Sequence, residues 1–307
     1  MRFAREKGVV LGKKQLFRGV GTAIVTPFCG EGIDFDAFGR LLDRQREYAD
    51  AVIVAGTTGE APTLDEAERD ALLDFALTRV GDALPVWMGV GSNDTAHAVH
   101  LAKRADALGA DALLCVTPYY NRGTREGVRT HFLHVAEAAE APLVLYNVPA
   151  RTGCALSLAD YESLLSHPNI LGVKEAEADA AKMGALCGAF GEGRAVYTGA
   201  DEFLLPALAL GASGVISVVS NAYPDLLHGV IRDFEGGDVP KARRAFLRLL
   251  PLIRLLFAET SPAPIKEVLR LQGFGDGACR LPLSFPSDSL RTALAEEISR
   301  LSGEGTY

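Results

Sequence analysis

From Val20 onward the chain alternates short apolar runs with longer stretches in which apolar residues recur every three or four positions. The short runs are Val20 to Thr26, Ala51 to Val54, Val86 to Val90, Ala112 to Val116, Leu143 to Asn147, Ile170 to Lys174, Ala195 to Thr198 and Gly214 to Ser217. Their apolar character is nearly continuous, and this describes strands buried on both faces, because a strand with one wet face would alternate. Between them, Leu73, Ala76, Leu77 and Val80 fall on one helical face, as do Ala98, Leu101, Ala102 and Ala105. Asp65 with Glu68 supplies the N-terminal capping pair of the first of these helices. Eight buried strands separated by amphipathic helices predict an α/β fold, a (β/α)8 TIM barrel. The competing open, doubly wound sheet would carry a Gly-x-Gly-x-x-Gly turn after its first strand, and none follows Val20 to Thr26.

The strand pattern stops after Ser217. Asp225 to Phe234, Lys241 to Phe257, Pro264 to Gln272 and Ser287 to Leu301 read as helices, and Ala242, Phe246, Leu249, Leu250, Ile253 and Phe257 form one apolar stripe. The expected organisation is a loosely held arm over 1–15, a barrel over 16–222, and a C-terminal helical extension over 223–307 packed on the barrel's outside.

With 307 residues, 48% of them hydrophobic, the chain can bury a large core. Its net charge of −8 and its dispersed basic residues argue against a nucleic-acid partner, since phosphate binders concentrate positive charge. No apolar stretch approaches the roughly 18 residues of a membrane span, so no membrane partner is expected. Cys29, Cys115, Cys154, Cys187 and Cys279 are odd in number and widely separated, suggesting neither a disulfide framework nor a zinc site. The opening residues, with Glu6 and Lys13-Lys14 around a short apolar patch, do not read as a secretory signal. A cytoplasmic location is expected.

Candidate chemistry gathers just after the predicted strands, where a (β/α)8 barrel builds its active site. Lys174 ends the sixth strand. Desolvation there favours the neutral amine, and lowering its pKa from about 10.4 toward roughly 7 to 8 would make it a nucleophile for a carbonyl. The alternative is a structural ion pair with Glu175. Tyr146 ends the fifth strand and should face Lys174, where a phenol can shuttle protons, unless it is only a core tyrosine. In the turn Gly56-Thr-Thr-Gly-Glu60, backbone amides and the hydroxyls of Thr57 and Thr58 can bind a carboxylate or relay a proton; otherwise it is a plain Gly-rich turn. Arg151 follows the fifth strand and could grip a carboxylate bidentately or simply face solvent. The pairs His97/His100 and His131/His134 have no carboxylate cluster beside them, and no metal is expected.

The ordered set Gly56-Thr-Thr-Gly-Glu60, Val116-Thr-Pro-Tyr-Tyr-Asn121, Tyr146-Asn-Val-Pro-Ala-Arg-Thr-Gly153, Val173-Lys-Glu-Ala176 and Gly214-Val-Ile-Ser217 resembles the dihydrodipicolinate synthase / N-acetylneuraminate lyase family of pyruvate-dependent class I aldolases. The resemblance spans Phe17 to Leu283. It implies that Lys174 forms a Schiff base with pyruvate, that Tyr146 is the central acid/base, and that Thr58 relays protons to Tyr120. It also implies that Thr57 and Thr58 hold the pyruvate carboxylate, that Ile216 packs near the imine, and that Tyr119 lies at the contact of a tight dimer. Arg151 matches the synthases, in which an arginine binds the aldehyde's carboxylate.

The chain differs from the synthase pattern at Glu177-Ala178 and at Ala200, in loops over the barrel mouth. Lysine inhibition is not carried over, because the polar set of inhibited members is not recognisable around Glu66, Arg69 and His97. The implied activity is a lyase reaction of lysine and diaminopimelate biosynthesis, condensing pyruvate with L-aspartate 4-semialdehyde without a cofactor, in a homodimer or homotetramer. The alternatives are another pyruvate-dependent aldolase or dehydratase acting on a keto-deoxy sugar acid, and a barrel that only binds. Presence of all of Lys174, Tyr146, Thr58 and Tyr120 disfavours the last.

Overall fold

The computed structural model describes residues 16–303, so the expected arm over 1–15 lies outside the described residues. Eight parallel strands close into a barrel: β1 Gly19–Ala23, β2 Ala51–Val54, β3 Val86–Gly89, β4 Ala112–Val116, β5 Leu143–Asn147, β6 Ile170–Glu175, β7 Ala195–Thr198 and β8 Gly214–Ser217. Each pairs with the next, and β8 returns to β1 in the register Val20 to Val215. The expected eight strands are all present; β1 stops at Ala23, before the Ile24 to Thr26 segment, and β6 runs one residue further to Glu175.

The near-continuous apolar runs conceal an alternation between two dry environments. Ala51, Ile53, Trp87, Leu114, Val144, Tyr146, Tyr197 and Ile216 fill the barrel interior, while Val52, Val54, Val86, Met88, Leu113, Leu145, Val173 and Val215 face the helices. Phe17, which precedes β1, stacks on Tyr197 at 4.5 Å and tilts against Trp87 at 5.0 Å. This aromatic cluster packs the barrel interior next to the segment that enters β1, at the end opposite the C-terminal mouth where such barrels build their sites.

The helices between strands are α1 Phe35–Tyr48, α2 Glu66–Val80, α3 Thr95–Ala107, α4 Arg125–Glu137, α5 Leu158–Leu165, α6 Ala180–Phe190 and α7 Leu204–Ala209, with α8 Pro224–Glu235 following β8. At the start of α2, Asp65 accepts from the Glu68 N–H at 2.8 Å and Glu68 accepts from the Asp65 N–H at 3.1 Å, the expected capping box. Ala98, Leu101, Ala102 and Ala105 bury the inner face of α3.

Two expectations change. α8 packs on β1 and α1 as the eighth helix of the ring, so the barrel runs to Glu235 rather than ending at 222. In α9, Val239–Leu256, the buried stripe keeps Ala242, Phe246, Leu249 and Ile253 but adds Leu252 and Leu256. Its neighbours α8 and α11, Asp288–Gly303, contact it together and widen the buried face. Phe257 is instead 45% exposed, because it sits beyond the last helical residue as the cap and leaves the face. The last of the set, α10 Ala263–Leu271, packs on α11 and on the turn at Val219–Asn221 just after β8. The C-terminal region therefore reaches the mouth of the barrel as well as its outside.

Candidate active site

Lys174 and Tyr146 are register partners on β6 and β5, both pointing into the barrel. The Lys174 Nζ lies 4.2 Å from the centre of the Tyr146 ring, and the side chain is only 5% exposed. The structural ion pair with Glu175 does not form. Strand alternation turns Glu175 to the opposite face, where it accepts from Asn147 Nδ2 at 2.9 Å, from the Tyr161 hydroxyl at 2.9 Å and from Lys182 Nζ at 2.9 Å. Among the described residues, no carboxylate approaches Lys174 within ion-pair distance. Gly199 leaves room for the lysine stem, since a Cβ at that position would come within 2.8 Å of the Lys174 Cε.

Burial pushes the Lys174 pKa down to about 8; Arg151 pushes the same way, and the charge of Asp201 opposes them. Below that value the nucleophilic form loses about tenfold per pH unit, and above it the amine is largely neutral. Imine formation with pyruvate is therefore expected to accelerate from about pH 6 to about pH 8 and to level off beyond. Rapid borohydride quenching across that range measures it; a rate still climbing tenfold per unit at about pH 9.5 would contradict the assignment.

Tyr146 is buried, and burial raises its pKa, offset in part by the charge of Arg151 and by a hydrogen bond shared with the Thr57 side chain. The phenol is thus protonated at neutral pH and able to donate. Of the two threonines of the turn, Thr57 lines the cavity and meets Tyr146. Thr58 is buried away from it. The expected relay through Thr58 is therefore better served by Thr57, in a turn bracketed by left-handed backbone at Ala55 and Glu60.

The cavity above Tyr146 has a volume of about 1300 Å³ and is lined by Thr57, Val116, Tyr119, Tyr120, Arg122 and Arg151, among others. Arg151 sits in a one-turn helix, Pro149–Thr152, at the rim; among the described residues its hydrogen-bonding contact is a long 3.3 Å one to the Ser261 carbonyl. Tyr120 has a left-handed backbone, with φ of +72°, and is 89% exposed. An outward-turned side chain of that exposure does not complete a relay within one chain. Ile216 is buried on the barrel-interior face of β8.

Three participants were not singled out from the sequence. Arg122 adds a second guanidinium to the rim and packs over Gly153. Asp201 is buried near Lys174; its Oδ2 accepts from the Val218 and Val219 N–H groups at 3.0 and 2.9 Å. Glu60 pairs with Lys266 of α10 in a buried contact. Arg122 and Asp201 carry no motif of their own, and although Glu60 closes the Gly56-Thr-Thr-Gly-Glu60 turn, only the tertiary fold pairs it with Lys266. Glu177, one of the departures from the synthase pattern, is held by Lys182 at 2.6 Å.

The whole constellation supplies a buried amine, a protonated phenol with a hydroxyl partner, and cationic rim groups suited to an anionic carbonyl substrate. The profile of the dihydrodipicolinate synthetase family matches residues 16–301. A 4-hydroxy-tetrahydrodipicolinate synthase of Acetivibrio thermocellus is 42% identical over 273 residues, covering 89% of this chain and 93% of that one. Among solved structures, dihydrodipicolinate synthase of Thermotoga maritima superposes with a TM-score of 0.91 at 37% identity, covering 94% of this chain and 99% of that one. The chloride-inhibited Acinetobacter baumannii synthase in complex with pyruvate gives a TM-score of 0.91 at 36% identity, over 94% of this chain and 99% of that one.

Proposed function

Because the chain belongs to the dihydrodipicolinate synthetase family, we propose that it is a lyase of lysine and diaminopimelate biosynthesis that condenses pyruvate with L-aspartate 4-semialdehyde. The observation that carries this reading is the Lys174 amine, shielded from water, without a carboxylate partner and set over the Tyr146 ring. Neutral Lys174 attacks the keto carbon of pyruvate. Tyr146 donates a proton to the carbinolamine hydroxyl, which leaves as water, and the iminium forms. The iminium acidifies the pyruvate methyl group; its proton returns to the phenolate, with Thr57 holding the phenolic oxygen, and an enamine results. The enamine carbon bonds to the aldehyde carbon, whose oxygen takes up a proton. The amino group of the semialdehyde then attacks the imine carbon, displacing Lys174 and closing the ring of 4-hydroxy-tetrahydrodipicolinate. The lysine imine is itself the electron sink, so the reading calls for no metal or organic cofactor.

Arg151 receives the carboxylate of the aldehyde, a role supported by its rim position and its weak existing contact. Exposed, strained Tyr120 fits a contact with a second copy of the chain, in a homodimer or homotetramer, and a cytoplasmic location fits the pathway. Among the described residues no helix is long and apolar enough to cross a membrane.

The direct test is borohydride with pyruvate followed by peptide mass mapping. A reduced pyruvyl adduct on Lys174 is expected, and an unmodified Lys174 would end the reading. Replacing Arg151 with alanine is expected to raise KM for aspartate semialdehyde roughly 10- to 100-fold, the loss of one charged hydrogen-bonding partner. Pyruvate trapping should stay intact, and steady-state kinetics with both substrates separates the effects.

A further inference from the structure

Two buried charges that no chemical step uses lie behind the turn that carries Thr57. The Glu60 side chain is 1% exposed and that of its partner Lys266 3%, although 206 residues separate them. Lys266 Nζ donates to Glu60 Oε1 and to the Ala278 carbonyl at 2.6 Å, and sits 4.1 Å from the centre of the Phe28 ring. The other carboxylate oxygen accepts from the Arg280 N–H at 2.9 Å. The Arg280 guanidinium then reaches forward to the Thr63 carbonyl at 2.9 Å and to Glu68 at 2.7 Å. α10 and the segment after it thus grip the far side of the turn at several points.

Resting on the imine reading above, we propose that Glu60 and Lys266 are positioning residues, through which the C-terminal region holds the turn that sets the Thr57 hydroxyl against the Tyr146 phenol. The turn needs holding because Glu60 is a non-glycine residue in the left-handed region, with φ of +56°. Its N–H bonds the Thr57 carbonyl at 3.1 Å, so a change in the Glu60 backbone reaches Thr57 across a single hydrogen bond. Thr26 anchors the neighbouring Gly59 carbonyl at 2.8 Å from the first strand's loop, and the Glu60 carbonyl accepts locally from the Thr63 N–H at 2.9 Å and the Thr63 hydroxyl at 3.0 Å; the Glu60 carboxylate is the tie from this turn to α10. A buried ion pair is a poor device for stability alone, since apolar residues of similar volume do as well or better. Its location one bond from a site residue gives it a different use.

The test compares the parent with Glu60→Gln, Lys266→Met and the double variant, in which neither charge is left unpaired. Borohydride trapping of pyruvate on the parent comes first; without a label on Lys174 the imine reading itself falls, and this inference with it. With the parent labelled, the single variants are expected to lose melting temperature and to trap pyruvate about tenfold or more slowly at temperatures where they remain folded. The double variant is expected to regain most of the melting temperature without regaining kcat, a split that a purely structural pair would not produce. A folded double variant with trapping rate and kcat within about twofold of the parent overturns the inference. Should the double variant not fold, Glu60→Gln assayed well below its melting temperature decides by the same criterion.

Discussion

Lys174→Met is expected to lower kcat by about 10⁴-fold or more and, at neutral pH, to raise the stability of the folded protein. The loss follows from removing the one amine that, among the described residues, stands in the barrel interior beside Tyr146. The gain follows from linkage. The folded-state pKa of Lys174 is lowered from 10.5 to about 8, so below about pH 8 the native state holds a desolvated charge that the unfolded chain holds in water. The difference corresponds to about 3 kcal/mol. It is fully present below about pH 8, fades as pH rises from there toward about 10.5, and vanishes above. Methionine fills a similar volume without the charge. Denaturant unfolding of parent and variant at about pH 7 and about pH 10.5 checks both halves: the variant should be the more stable at neutral pH, with the gap closing in alkali. A variant less stable than the parent at neutral pH would mean that the amine is better solvated than its position indicates.

Tyr146→Phe should reduce kcat by roughly 10²- to 10⁴-fold, the usual range for loss of a positioned acid/base. It should leave the fold nearly untouched, because the ring keeps its place in the barrel interior and only the hydroxyl opposite Thr57 is lost. The two variants differ in a way that tests the division of roles. With Lys174 in place, Tyr146→Phe should still accumulate the borohydride-trapped pyruvate adduct on long incubation, whereas Lys174→Met should never do so. A phenylalanine variant that traps pyruvate at the parent's rate would remove the phenol from imine formation and confine it to later proton transfers.

The strands were legible because being buried on both faces leaves an unmistakable mark: uninterrupted apolar residues over four or five positions, as at Ala51–Val54 and Ala112–Val116. Lys174 and Tyr146 were legible for the related reason that a lysine and a tyrosine closing such runs stand at the end of the strands where a barrel builds its site. Thr57 and Thr58 were not separable in this way. Which hydroxyl meets Tyr146 is a matter of how the turn sits against β5, and its left-handed backbone at Ala55 and Glu60, neither of them glycine, is a conformation that composition does not announce. The eighth barrel helix was misplaced into the extension because α8 has the same amphipathic spacing as the helices after it. Only its contacts with β1 and α1 assign it to the ring.

By itself the amino-acid order determined the barrel, the strand ends that carry the amine and the phenol, and the resemblance in which those residues gain a use. These are local properties, written in the period and continuity of apolar positions. The tertiary structure decided what depends on distance between remote segments. It turned Glu175 toward Lys182 and away from Lys174, placed Asp201 near the amine, and set Lys266 behind Glu60. Buried charges find their partners through the closure of the whole chain, because the cost of desolvation is met by whichever groups the packed fold brings within reach, and sequence spacing carries no record of that distance.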